Sequence, residues 1–101
     1  MSQTVRSSQR FDVQIDIEVI VGDKQQVSKT RNLSLGGAFV DAEVKPPFNS
    51  RVVLRFHIPN QREAVQVGGV VRWIDSGGFG VQFDGLRARD VWALGKYFEQ
   101  L

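Results

Sequence analysis

The run Phe11-Asp12-Val13-Gln14-Ile15-Asp16-Ile17-Glu18-Val19-Ile20-Val21 sets apolar residues at 11, 13, 15, 17, 19 and 21 against Asp12, Gln14, Asp16 and Glu18 between them. Successive side chains of an extended chain point to opposite sides, so this period of two predicts a half-buried strand. Gly22-Asp23 is a turn signal, and Gln25 to Leu33 reads as the returning antiparallel partner. Asn32 to Gly37 interrupts the pattern, and Ala38 to Ala42 resumes it as a third strand. Pro46 and Pro47 cannot donate ladder hydrogen bonds, which makes 45–50 a surface loop. Arg51 to Ile58 alternates again, with Val52, Leu54, Phe56 and Ile58 on one face. In Ala64 to Ile74 the same rule places Val65, Val67, Val71 and Trp73 together, and Gly68-Gly69 predicts a bulge or bend in mid-strand. Ser76-Gly77-Gly78 then turns the chain into a sixth strand, Phe79 to Phe83.

After Asp84-Gly85 the period changes. Val91, Leu94, Phe98 and Leu101 recur at spacings of three and four, with Ala88 and Gly95 on the same stripe, so residues 86–101 are expected to form an amphipathic helix. Trp92 and Tyr97 flank the stripe; they either widen its contact with the strands or, in the case of Trp92, stand partly exposed to anchor a partner or a second copy. Six short strands and one helix indicate an all-β barrel or sandwich whose open end or edge the helix covers. At 101 residues the chain has room for one domain: a polar, flexible arm over 1–10, the strands over 11–83 and the helix.

The composition narrows the chemistry. Without cysteine there are no disulfides, thiolate metal sites or cysteine nucleophiles, and a single histidine, His57, leaves no histidine-rich metal cluster. His57 falls in mid-strand with no nucleophile elbow anywhere, which argues against an enzyme. Gly77-Gly78-Phe79-Gly80 is followed by a strand and lacks the helix N-terminus that holds phosphate. With 13 basic and 11 acidic residues, the chain is too evenly charged to predict binding to a nucleic-acid polymer. No apolar run approaches the ~18 residues of a membrane span, and 1–10 lacks the apolar centre of a secretory signal, so the expected location is cytoplasmic.

Two local signals remain. Arg6 and Arg10 lie four apart just before the first strand, and Asn32-Leu33-Ser34-Leu35-Gly36-Gly37 fills the break after the second. Hairpin geometry returns the end of strand two to the start of strand one, so both segments fall at one end of the sheet. Arginine binds phosphate bidentately, holds the O6 and N7 acceptors of guanine, or stacks on its face. Asn32 offers an acceptor and a donor, Ser34 a small hydroxyl, and Gly37 a stretch of backbone without a Cβ. At average residue usage an Asn/Asp-x-Ser-x-x-Gly pattern begins at about one position in two thousand, which argues against coincidence in so short a chain.

These motifs resemble the signature of PilZ domains, an R-x-x-x-R ahead of the first strand and a D/N-x-S-x-x-G after the second. The likeness extends to Gly69-Val70-Val71-Arg72-Trp73 and Gly80-Val81-Gln82-Phe83 and so covers essentially the whole chain. It implies a six-stranded antiparallel β-barrel of split-barrel type with a C-terminal α-helix, and a receptor for the bacterial second messenger cyclic di-GMP. Carried over by position, Arg6 and Arg10 grip phosphates and guanines while Asn32, Ser34 and Gly37 form the opposing surface. Trp73 has two readings: core, as its alternation suggests, or an added stacking platform for the ligand. Some members carry a further arginine just before the motif, which favours an intercalated ligand pair; Val5 stands there, favouring a single ligand. Ligand is expected to order the arm and present a changed surface to an unidentified effector, the chain itself being a monomer or weak homodimer. The competing reading is an interaction adaptor of the same fold that binds no nucleotide.

Overall fold

The computed structural model of the chain describes residues 9–101. Among them, the strands are β1 Asp16–Val21, β2 Lys24–Leu33, β3 Gly37–Asp41, β4 Arg51–His57, β5 Ala64–Asp75 and β6 Gly78–Phe83, followed by one helix, α1 Ala88–Glu99. They close into a barrel in the order β1-β2-β3-β6-β5-β4, every pairing antiparallel, with β4 returning to β1. Closure removes the unpaired edges that an open sheet of this size would expose. The Val21–Lys24 hairpin is held by a two-residue turn whose first residue, Gly22, takes φ +61°, a conformation glycine adopts without strain.

Inward residues follow the expected alternation through most of the barrel. Ile17, Val19, Val52, Leu54, Phe56, Val65, Val71, Phe79 and Val81 form one buried core. β2 departs from it: Lys24, Gln26, Ser28 and Thr30 pair with inward positions, so Val27 faces out and is 69% exposed. Thr30 is fully buried, yet its hydroxyl is satisfied twice, donating to the Val13 carbonyl at 2.6 Å and accepting from the Ile15 N–H at 3.0 Å. These bonds stand in for ladder rungs and explain why β1 begins at Asp16 and not at Phe11. Phe11 meets β2 through a single bridge, exchanging hydrogen bonds with Leu33 at 2.9 and 3.0 Å.

Three further expectations are corrected. Gly68-Gly69 carries no bulge, since β4 and β5 stay in register from Arg51–Val70 to His57–Ala64. Gly69 is instead a point of close approach, where a Cβ would sit 2.6 Å from the Gln82 carbonyl oxygen. The shift in β5 comes later, where Val71 pairs with Val81 but Trp73 with Gly80, leaving Arg72 as the extra residue; β2 has a matching shift around Arg31, between Thr30 and Asn32. The extra residue reverses the alternation, so Trp73 leaves the core face and is 52% exposed.

The helix also differs in phase. It ends at Glu99 and buries Asp90, Ala93, Leu94 and Phe98, with Tyr97 partly covered, while Val91, Trp92 and Leu101 are exposed. Phe98 stacks on Phe11, ring centroids 4.2 Å apart and planes 15° from parallel, so the helix docks where the chain enters the barrel. This contact draws the buried stripe toward Phe98 and Leu94 and turns Val91 and Trp92 outward. Asp90 is buried against the Arg87 guanidinium, Nε at 3.0 Å.

Thr30→Val leaves the Val13 carbonyl and Ile15 N–H without partners. Urea denaturation is expected to show a loss of about 1–3 kcal/mol, with hydrogen-exchange protection falling first at residues 11–15. Phe79→Ala, which empties a fully buried site, is expected to cost ~3–5 kcal/mol in the same assay.

Candidate functional site

The two bulges act on the same outer wall. Asn32 pairs with Phe39, Phe39 with Gly80 and Gly80 with Trp73, so these four residues form one row across β2, β3, β6 and β5. Phe39 is buried, but it lies outside the barrel core, because Ala38 and Val40 on either side of it take the inward positions. It is covered from outside by the Arg31 guanidinium, 4.2 Å from the ring centroid. Gly80 is the floor of the row. A Cβ there would lie 2.8 Å from Cε3 of Trp73 and 3.3 Å from Cδ2 of Phe39, so only glycine lets both rings lie down over β6.

Arg10 reaches this row from the chain entry, its guanidinium 5.5 Å from the Trp73 ring centroid. Such a contact is worth about 0.5–1 kcal/mol when exposed. Arg10, Phe39, Trp73, Ile74 and Asp75 line an open cavity of about 330 Å³, at the small end of ligand pockets. Of the residues expected at the site, Arg10, Asn32 and Trp73 therefore come together on one face; Arg6 lies outside the described residues.

Ser34 and Gly37 hold the loop. The Ser34 hydroxyl accepts the Gly36 and Gly37 N–H groups, both at 3.1 Å, and donates to the Gly37 carbonyl, while the Ser34 N–H donates to the same carbonyl at 2.9 Å. With the serine 6% exposed, its hydroxyl is committed to the backbone. At Gly37 a Cβ would fall 2.2 Å from the Val81 carbonyl oxygen, so the close approach that glycine permits here is to β6. Both residues shape the turn that carries Asn32 and Phe39 to the row.

Sequence reasoning missed Phe39, Gly80, Arg31 and Arg72. The signal for Phe39 was present, since it alternates out of phase with Ala38 and Val40. Arg31 donates to Asp41 at 2.8 Å and to Asp75 at 3.3 Å, and the Asp41 hydrogen bond is the largest cause of its raised pKa. Arg72 spans Gln82 Oε1 and Asn49 Oδ1, each at 3.0 Å. Asp75 accepts the Gly77 and Gly78 N–H groups at 2.8 and 2.9 Å; the Gly77 bond is the largest cause holding its carboxyl below the usual range, burial opposes it, and the Arg31 and Gly78 hydrogen bonds add to the lowering. The wall thus carries an aromatic pair set among guanidinium groups, suited to stacking a planar base and to binding phosphate.

No group of three or more potential metal ligands occurs among the described residues. His57 lies on β4, outside this row, paired with Ala64. No helix among the described residues is long and apolar enough to cross a membrane.

A family model described as PilZ domain matches residues 4–100. Among curated proteins, no relative matches the sequence. Solved structures share the fold, three of them as follows. The Bacillus subtilis inhibitor of motility MotI/DgrA superposes with a TM-score of 0.79 at 20% identity, over 90% of this chain and 48% of that one. The PilZ domain of CeSA from a cellulose-synthesising bacterium gives 0.69 at 18% identity, over 92% and 98%. The Borreliella burgdorferi PlzA protein, solved in complex with c-di-GMP, gives 0.65 at 14%, over 94% and 43%. The chain therefore spans about half the length of the first of these and less than half of the last.

Asp75→Asn mimics the protonated carboxyl. Because the folded pKa of Asp75 is lowered, its ionised form stabilises the fold above the ordinary carboxylate pKa, and this is lost as pH falls through the lowered value. Thermal melts are expected to show the variant less stable than the parent at pH 7 and the gap closing as the pH falls below the ordinary carboxylate range.

Proposed function

From the premise that the chain belongs to the PilZ domain family, we propose that it is a receptor for cyclic di-GMP and not an enzyme. The observation that carries this reading is the row Asn32–Phe39–Gly80–Trp73 with Arg10 standing over Trp73, at the end of the barrel where the Asn32–Gly37 motif lies. In the proposed complex Arg10, together with Arg6 of the arm, grips the phosphates and the guanine edge. A guanine stacks on the outer wall beside Trp73, and Asn32 supplies a paired acceptor and donor to its polar edge. Ser34 and Gly37 act at one remove, by holding the turn on which Asn32 is placed. PlzA, which shares the fold, was solved with c-di-GMP, and this supports the choice of ligand.

Binding is relayed through the arm. Phe11 is pinned to Leu33 by two hydrogen bonds and to Phe98 by stacking, so ligand that draws residues 1–10 onto the wall acts beside the docking point of α1. Trp92, 62% exposed on that helix, then belongs to the surface an effector protein reads. The proposed setting is the cytoplasm, where the chain works as a monomer or weak homodimer taking a single ligand.

One observation favours the adaptor reading: Ser34 and Gly37 are fully accounted for by turn and strand packing. Isothermal titration separates the two. The receptor reading expects selective binding of cyclic di-GMP over GTP and cyclic di-AMP, abolished by Arg6→Ala/Arg10→Ala. Arg10→Ala alone is expected to weaken binding about 10- to 100-fold, from a lost hydrogen bond to a charged group, and Trp73→Ala by roughly 5- to 100-fold, from lost stacking. No heat of binding from folded protein would leave the adaptor.

A further inference from the structure

The barrel has a second mouth at the Gly22-Asp23 hairpin, the opposite end of β2 from Asn32. At roughly 3.3 Å per residue the ten residues of β2 separate the two ends by about 30 Å. Lys24 pairs with Val21 and Gln26 with Val19, so polar and apolar side chains stand side by side on neighbouring strands at this end. Val19, Val21, Lys24, Gln26, Val44 and Lys45 line a cavity of about 330 Å³ between them.

Its lid is the segment after β3. The Gln26 side-chain amide donates to the Val44 carbonyl at 3.2 Å, and the Val44 side chain is 73% exposed at the lip. Lys45 is engaged, its Nζ donating to the Ser76 carbonyl at 3.0 Å. Lys24 differs, since no carboxylate of a described residue pairs with it. An apolar pocket with one unpaired ammonium and one amide N–H₂ at its rim is complementary to a hydrocarbon chain that ends in a monoanion with two acceptor oxygens.

We propose that this mouth binds a free, medium-chain carboxylate amphiphile, its tail against Val21 and Val44 and its head on Lys24 and Gln26. The site is independent of the nucleotide reading, because it shares no residue with the Asn32–Trp73 row. The size of the cavity limits the tail to a medium-length chain, and the bond from Gln26 to Val44 is the contact that entry would exchange for the carboxylate.

The test is a titration of ¹⁵N-labelled full chain with hexanoate, octanoate and decanoate below their micelle concentrations, with octanol and octylamine as controls. Saturable shifts are expected at residues 19, 21, 24–26 and 44–45, with none at 32–37 or 73. Affinity is expected to rise about fourfold per methylene until the cavity is full. Lys24→Gln is expected to weaken octanoate about two- to fivefold and leave octanol unchanged. Val44→Asp, at an exposed position, is expected to abolish carboxylate binding while resonances of the core stay in place. The proposal is overturned if octanoate gives no saturable shift at low-millimolar concentration, if octanol and octylamine match it, or if Val44→Asp binds it as the parent does.

Discussion

One extra residue in each of two strands decides the outer wall of this barrel. Side chains alternate with a period of two, so an inserted residue sends everything beyond it to the opposite face. Arg72 does this in β5 and moves Trp73 from core to surface; Arg31 does it in β2 and brings Asn32 out beside Phe39. Without the two shifts there is no Asn32–Phe39–Gly80–Trp73 row. Bulges also increase local twist and bend the strand, which helps six short strands close on themselves.

The row is tied to the interior by a short chain of contacts. Ser34 closes the turn between β2 and β3 with its hydroxyl, and Thr30 holds residues 13 and 15 against β2 where regular pairing stops. Between those anchors Phe11 bridges to Leu33 and stacks on Phe98. Arg10 is thus one residue from a point fixed to both barrel and helix. Displacing the arm changes a contact that also positions α1, the physical basis for a relay from the wall to the exposed helix face.

Electrostatics on the wall orders groups more than it stabilises the fold. Arg31, Asp41 and Asp75 form an exposed network, and pairs of this kind contribute little net stability. Their effect is geometric: Arg31 is held over the Phe39 ring, and Asp75 closes the turn into β6 with two backbone bonds. Arg10, resting on Trp73 alone among the described contacts, is the guanidinium most easily redirected to a phosphate.

By itself the sequence determined the class of fold, the strand boundaries to within one or two residues apart from the start of β1, the hairpin at Gly22-Asp23 and the end of the barrel at which Arg10, Asn32 and Ser34 meet. These follow from local rules, alternation and turn chemistry, which each segment carries without its neighbours. Tertiary structure alone decided which face Trp73 takes, that Phe39 belongs to the outer wall, that Gly37 and Gly80 make room for β6 and the rings above it, and that α1 buries Asp90 and Ala93 and leaves Val91 exposed. The reason is common to all of these. A bulge is defined by the register of one strand against another, and the space a glycine leaves matters only once a second strand or a ring is packed against it.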